Sequence, residues 1–282
     1  MIVVTGATGG LGALVVQSLL TRVPADQVVA VVRSPEKAAG LGVEVRAANY
    51  DDQASLERAF AGADKVLLVS GNEFGKRAAQ HTNAINAAAK AGVGRLVYTS
   101  APFADSGRML LSEEHKATEE VLLASGLTYT ILRNGWYHEN YAQAITGAVE
   151  SGVLATSAGD GRVSSAARAD YAEAASVVLT TEGHDNKIYE LSGDTAWSFA
   201  ELADVVSRVS GKPVSYQVLT TEEQIAQLTS AGLPEPVAAV FADVDANIAK
   251  GGVLDHTPGV LRELIGHPTQ PVADYVTDLL KK

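Results

Sequence analysis

Apolar residues in the first half of this chain come in short unbroken runs, separated by segments where they recur every three or four positions. Residues 2–5, 27–32, 43–47, 65–69, 95–99 and 128–132 are runs of the first kind, rich in β-branched side chains, and predict buried strands. Residues 52–60, 77–91 and 112–125 carry the helical spacing, as do residues 11–20. Helix ends are marked too. Asp51 or Asp52 stands where a cap belongs ahead of 54–60, and Gly92 and Gly126 follow the last helical residues of two others. Strand and helix alternate, which predicts βαβ units and a doubly wound parallel sheet, an α/β fold. Residues 1–133 therefore read as one complete nucleotide-binding domain.

Beyond residue 133 the texture changes. Helical patterns over 137–150, 170–181, 198–210, 220–231, 234–250 and 259–265 surround only two strand-like runs, 187–191 and 214–218. No repeat or low-complexity tract interrupts them. Residues 134–282 are expected to form a smaller C-terminal α/β lobe that binds substrate, with later segments free to add to the first sheet.

The junction after the first run carries the strongest chemical signal. Ile2-Val3-Val4-Thr5 passes into Gly6-Ala7-Thr8-Gly9-Gly10-Leu11-Gly12, with glycines at 6, 9 and 12. A strand, a glycine turn and a helix N-terminus together form a phosphate-binding device of the Rossmann type. Gly6 permits the turn, Gly9 lets a pyrophosphate approach the backbone, and Gly12 lets helix and strand pack closely. Arg33 ends the second run, 21 residues after Gly12, followed by Ser34 and Lys37. An NAD-specific fold places an acid roughly 20 residues after the glycines for the ribose 2′-hydroxyl; a guanidinium fork suits a 2′-phosphate instead. The expected cofactor is NADPH. Asp51, in the turn after the third run, either accepts from the adenine amine or caps the next helix.

Ligands collect at the carboxyl ends of parallel strands. Those ends hold Ser70-Gly71-Asn72-Glu73-Phe74, Ser100-Ala101-Pro102-Phe103, and Asn134-Gly135-Trp136-Tyr137-His138-Glu139-Asn140-Tyr141. The small and polar residues admit cofactor ribose and nicotinamide. Phe74, Trp136 and Tyr137 offer a flat wall to a planar substrate, or pack as ordinary buried aromatics. His138 and His184 titrate in a useful range but show no partner in sequence, and read as surface or loop histidines. Glu113, Glu114, His115 and Glu119 read as a solvated helix face, so no metal site is expected.

Composition narrows the partners. The 282 residues are 46% hydrophobic and 20% charged, with a net charge of −11 and no basic block, which speaks against nucleic acid and anionic membranes. The chain has no cysteine, which excludes disulfides, thiolate metal ligands and a cysteine nucleophile. No charged leader precedes an apolar stretch and no apolar run approaches a membrane span, so a cytoplasmic protein is expected. Its oligomeric state is left open.

Thr5 to Gly12, Val31-Val32-Arg33, Tyr98-Thr99-Ser100 and Leu132-Arg133-Asn134-Gly135-Trp136-Tyr137 together resemble the NmrA-like branch of the atypical short-chain dehydrogenase/reductases. Within that branch the likeness is to the bacterial type 2 NAD(P)H:quinone oxidoreductases, then to the triphenylmethane reductases. It extends through Arg168-Ala169-Asp170-Tyr171, Tyr189-Glu190-Leu191 and Lys250-Gly251-Gly252. The resemblance implies NADPH contacts at Gly6, Ala7, Thr8, Gly9, Gly10, Leu11 and Arg33. It also implies them at Ser70, Gly71, Asn72, Asn134, Gly135, Trp136, Tyr137, His138 and Glu139. The implied reaction is hydride transfer to a quinone without a flavin.

One departure is informative. Ordinary short-chain dehydrogenases pair a tyrosine with a lysine four residues on. Aligned on Lys116, the tyrosine position here is Ser112. An alkoxide needs a proton as it forms, whereas the hydroquinone anion spreads its charge over a ring, so the loss fits quinone reduction. The competing readings are a non-catalytic NADP(H)-binding redox sensor, and a reductase of another planar acceptor such as a triarylmethane dye. No catalytic residue is assigned.

Overall fold

The computed structural model describes residues 1–281. In chain order, β1 (Ile2–Thr5), α1 (Gly10–Leu20), β2 (Val28–Val32), β3 (Glu44–Ala47) and α2 (Gln53–Phe60) come first. β4 (Lys65–Leu68), α3 (Arg77–Ala91), β5 (Arg95–Ser100), α4 (Leu110–Ala124) and β6 (Tyr129–Asn134) follow. Next are α5 (Ala142–Ser151), β7 (Val153–Thr156), β8 (Arg162–Val163), α6 (Arg168–Thr180) and β9 (Lys187–Leu191). The chain continues through β10 (Trp197–Ser198), α7 (Phe199–Ser210), β11 (Ser215–Val218) and α8 (Thr221–Ser230). It closes with α9 (Glu235–Lys250), α10 (Val260–Ile265) and α11 (Val272–Leu280).

Two compact units result. The first takes in Met1–Asp105, Ser112–Asn134 and Arg168–Glu190; the second takes in Ser106–Leu111, Gly135–Ala167 and Leu191–Lys282. The first unit is built on a seven-stranded sheet in the order β3-β2-β1-β4-β5-β6-β9, the expected doubly wound α/β arrangement. β1 to β6 pair in parallel. The order in which successive strands are added reverses between β1 and β4, the position where such folds bind ligands. Strand periodicity decides the layers. Val3, Val29, Val31, Val66, Leu68, Leu96, Tyr98 and Ile131 face one way and bury Leu56, Phe60, Ala84, Ile85 and Leu122 of α2, α3 and α4. On α1, Ser18 hydrogen-bonds Ser176 of α6 at 2.7 Å, so these two helices pack together.

The sequence places the main boundary after residue 133 and leaves later segments free to add to the first sheet; the first unit takes in α6 and most of β9. The open edge of β6 is the reason: Asn186 N–H donates to Tyr129 O at 2.7 Å, and Gly135 N–H donates to Leu191 O at 2.7 Å. The second unit contains two small sheets, β7 with β11 in parallel and β8 with β10 antiparallel. The patterning missed β7, β8, β10 and α11. It also joined two elements: residues 138–141 form a 3₁₀ turn, and α5 starts only at Ala142. Two-residue strands are too short to show alternation. Among the described residues no helix is long and apolar enough to cross a membrane.

Candidate functional site

β1 delivers the chain to Gly6, which adopts φ +58°, the left-handed conformation glycine tolerates best. Gly6 O then accepts from Gly9 N–H at 2.9 Å, and Gly9 O accepts from Ala13 N–H at 3.0 Å as α1 begins. A Cβ on Gly12 would lie 2.3 Å from the Gly6 carbonyl oxygen, a clash with backbone that only glycine avoids. Ala7 and Leu11 are buried, whereas Gly6, Thr8, Gly9 and Gly10 are exposed. No side chain caps α1 and no acid stands in its first turn. Its leading N–H groups and the positive end of its dipole therefore face outward, and this suits a pyrophosphate. Beneath the turn, Thr5 Oγ1 accepts from Val69 N–H at 3.0 Å, and the Tyr50 hydroxyl donates to Val69 O at 2.7 Å. These bonds hold the ends of β1 and β4 together. Burial pushes the Tyr50 phenol up from its ordinary value, so it stays a neutral donor.

Arg33, just past β2, is exposed, and its Nη1 lies 3.0 Å from Glu73 Oε1. Arg33 is largely in solvent and Glu73 half-buried at the surface, so the pair is worth under about 1 kcal/mol and gives way readily to a stronger anion. Glu73 belongs to the loop after β4, whose two ends are fixed. Gly71 N–H donates to His81 Nε2 at 3.0 Å, and Gly71 O accepts from Arg77 Nε at 2.8 Å. Gly75 N–H donates to Glu114 Oε1 at 3.0 Å. Ser70 N–H donates to Thr99 Oγ1 at 2.9 Å. Because His81 Nε2 accepts, its Nδ1 carries the proton and donates to Thr118 Oγ1 at 3.0 Å. Burial, with Arg77 adding, pulls His81 down to about 3, so it is neutral. Phe74 is exposed and its ring lies over the Arg77 guanidinium, 5.0 Å from the centroid. Asp52, not Asp51, caps α2 by accepting from Ser55 N–H at 3.1 Å. The Asp51 carboxylate accepts from Gln80 Nε2 at 3.1 Å.

At the ends of β5 and β6 the polar groups are committed to one another. Glu119 takes Arg133 in a two-pronged bond, Nε to Oε1 at 3.0 Å and Nη2 to Oε2 at 2.6 Å. Ser100 Oγ donates to the same carboxylate at 2.6 Å. Arg133 Nη1 also donates to Glu190 Oε1 at 2.8 Å. On α4, Ser112 is buried while Lys116 is exposed. Ser100 Oγ is thus committed to Glu119, and Ser112 Oγ is buried without a hydrogen-bond partner among the described residues. His115 bonds the Tyr98 hydroxyl at 2.7 Å, and Glu114 holds Arg77 at 3.1 Å, so the acidic face of α4 is a set of separate fasteners.

In the second unit, the segment after Asn134 bridges to Ala166: Ala166 N–H donates to Trp136 O and His138 N–H to Ala166 O, both at 3.0 Å. His138 is buried, contrary to the expectation of a surface or loop histidine. Its Nε2 donates to Gln270 O at 2.9 Å, which leaves Nδ1 to accept from Ser165 Oγ at 2.8 Å. Ser165 in turn accepts from Trp197 Nε1 at 3.0 Å. Burial pulls His138 down to about 4. Both ring nitrogens are thus taken inside the unit. Trp136 and Tyr137 are half-buried, and Trp136 stands edge-on to Phe241 with centroids 6.0 Å apart. His184, in the first unit, bonds Thr181 and Tyr189, each at 2.8 Å.

Sequence reading missed Glu73, Arg77, His81, Glu114, Glu119 and Glu190 as groups that shape these loops. One signal was present. An arginine in the first turn of α3 opposes the helix dipole, and such a residue needs a nearby anion, here Glu114.

The chain matches the NAD(P)H-binding family model over residues 6–182. It is 49% identical over 282 residues to quinone oxidoreductase 2 of Escherichia coli strain K12, covering 99% of this chain and 98% of that relative. It is similar to the solved NADPH-dependent quinone oxidoreductase from Escherichia coli complexed with NADPH. There the TM-score is 0.96 and the identity 48%, over 99% of this chain and all of that one. The Citrobacter sp. triphenylmethane reductase complexed with NADP(H) gives a TM-score of 0.94 at 42% identity, over 99% of this chain and 100% of that chain.

Proposed function

This chain belongs to the NAD(P)H-binding family, and from that premise we propose that it is a cytoplasmic, flavin-independent NADPH-dependent quinone oxidoreductase. The observation that carries this reading is the N-terminus of α1, left without side-chain cap or acid at the end of the Gly6 turn. It is supported by the likeness to the quinone oxidoreductases over nearly the whole chain. When bound, NADPH supplies the hydride that reduces the quinone.

The chain's own residues bind and orient. Gly6, Ala7, Thr8, Gly9, Gly10 and Leu11 hold the pyrophosphate, and Arg33 meets the 2′-phosphate. Ser70, Gly71 and Asn72 line the cofactor; Ser70 is already held by Thr99 and Gly71 by His81 and Arg77, so those two need little ordering on binding. Asn134, Gly135, Trp136, Tyr137, His138 and Glu139 complete the cofactor contacts. The His138 ring is already bonded and its N–H is taken by Ala166 O, so this residue serves by holding the segment in place. Phe74, Trp136 and Tyr137 contact the planar quinone. Positioning does the catalytic work, and the dispersed charge of the reduced quinone removes the need for a tyrosine acid.

Purified protein with no flavin is expected to oxidise NADPH only when a simple quinone is added, followed by loss of the reduced nicotinamide absorbance. No turnover with any of several quinones would overturn the reading.

A further inference from the structure

We propose that Glu73 sets the balance between NADPH and NADH by competing with the cofactor 2′-phosphate for Arg33. This rests on the assignment of Arg33 to that phosphate. The Glu73 carboxylate is shared: Oε1 lies 3.0 Å from Arg33 Nη1 and Oε2 lies 3.5 Å from Lys76 Nζ. Two cations thus face one anion, and all three groups reach solvent.

The loop that carries Glu73 has little freedom to withdraw. Gly71 is tied to His81 and Arg77, and Gly75 is tied to Glu114. A phosphate on Arg33 therefore meets a carboxylate that can turn toward Lys76 but cannot leave the neighbourhood. Like charges at such range oppose each other, and the penalty falls only on the cofactor that carries the extra phosphate. A ribose 2′-hydroxyl carries no charge and donates to a carboxylate, so NADH escapes the penalty. Glu73 accordingly weakens the phosphate site that Arg33 and Lys76 would otherwise make.

Calorimetric titration of wild type, Glu73→Gln, Arg33→Ala and the double variant tests this. The ligands are NADPH, NADH, adenosine 2′,5′-bisphosphate and adenosine 5′-monophosphate. Glu73→Gln is expected to tighten NADPH and the bisphosphate about fivefold, the size of one screened charge contact. NADH and the monophosphate should stay within about twofold, and the gain should vanish in the Arg33→Ala background. Weaker NADPH binding, or equal shifts for both cofactors, would overturn the role of Glu73. If wild type fails to prefer the bisphosphate and Arg33→Ala changes nothing, the Arg33 assignment fails first, and the proposal with it. Thermal unfolding of each variant separates these outcomes from misfolding, since Glu73 lies on an exposed loop and its loss should leave the transition in place.

Discussion

His81 in the first unit and His138 in the second do the same job with opposite ring protonation. His81 carries its proton on Nδ1 and accepts from the Gly71 N–H, fixing the loop after β4. His138 carries its proton on Nε2, donates to Gln270 O and accepts from Ser165, fixing the segment after β6. What surrounds them differs. The first unit completes its loops with buried or half-buried charges, Arg77 with Glu114 and Arg133 with Glu119 and Glu190. Around His138 the second unit uses neutral groups: Ser165, the Trp197 indole and the Tyr141–Trp197–Phe199 ring cluster. A charge-held loop is strong while both partners are present and costly once one is removed. A loop held by neutral groups loses less when broken.

The largest test of that contrast is Glu119→Ala, which leaves Arg133 buried beside only partial compensation. We expect a loss of about 3–5 kcal/mol in denaturant unfolding. Ser165→Ala, which orphans His138 Nδ1 and Trp197 Nε1 at once, should cost about 2–3 kcal/mol. If the serine change proved the more damaging, the contrast between charged and neutral fastening would be wrong.

Acidification sharpens the comparison further. His81 and His138 are held at about 3 and about 4 in the fold, and burial also holds His115 well below its ordinary value. An unfolded histidine titrates near 6.5, so below that pH the unfolded chain takes up protons that the fold refuses. Their stabilisation is complete above pH 6.5 and is lost on acidification by about 1.4 kcal/mol per pH unit for each ring, down toward the folded values. His138→Gln, which keeps a donor for Gln270 O, should flatten this acid limb by one ring's share. Asp245 of α9 runs the other way. Burial raises its carboxyl to about 7, against roughly 3.9 in the unfolded chain, so its cost appears as pH rises between those values. Asp245→Asn is therefore expected to stabilise the protein at pH 8 and to do little at pH 3.

The smallest test concerns devices that ignore which unit they serve. Asp52 caps α2, and Ser198 caps α7 in a reciprocal box with Glu201. Replacing either by alanine should cost about 1 kcal/mol in thermal or denaturant unfolding. Unequal losses would show that one cap is coupled to its surroundings.

The doubly wound sheet and the Gly6–Gly12 turn were legible because local chemistry imposes them. β-branched runs favour strands, helical spacing sets the faces, and a clash at 2.3 Å allows only glycine at residue 12. The position of Arg33 just past β2 was legible for the same reason, as a strand end at a familiar offset. The identity of the residue that fastens each loop was not. His81 reaches back ten residues to Gly71, while His138 finds Gln270 132 residues away. Glu73 shows the limit most clearly: its residue type is plain in the sequence, but its pairing with Arg33 depends on β2 and β4 both flanking β1. By itself the sequence determined the strands and helices of the first sheet, the glycine turn and the class of cofactor, because these follow from spacing along one chain. Only the tertiary structure decided which polar groups are spoken for and which stay open to a ligand, because hydrogen-bond partners are set by distance in space.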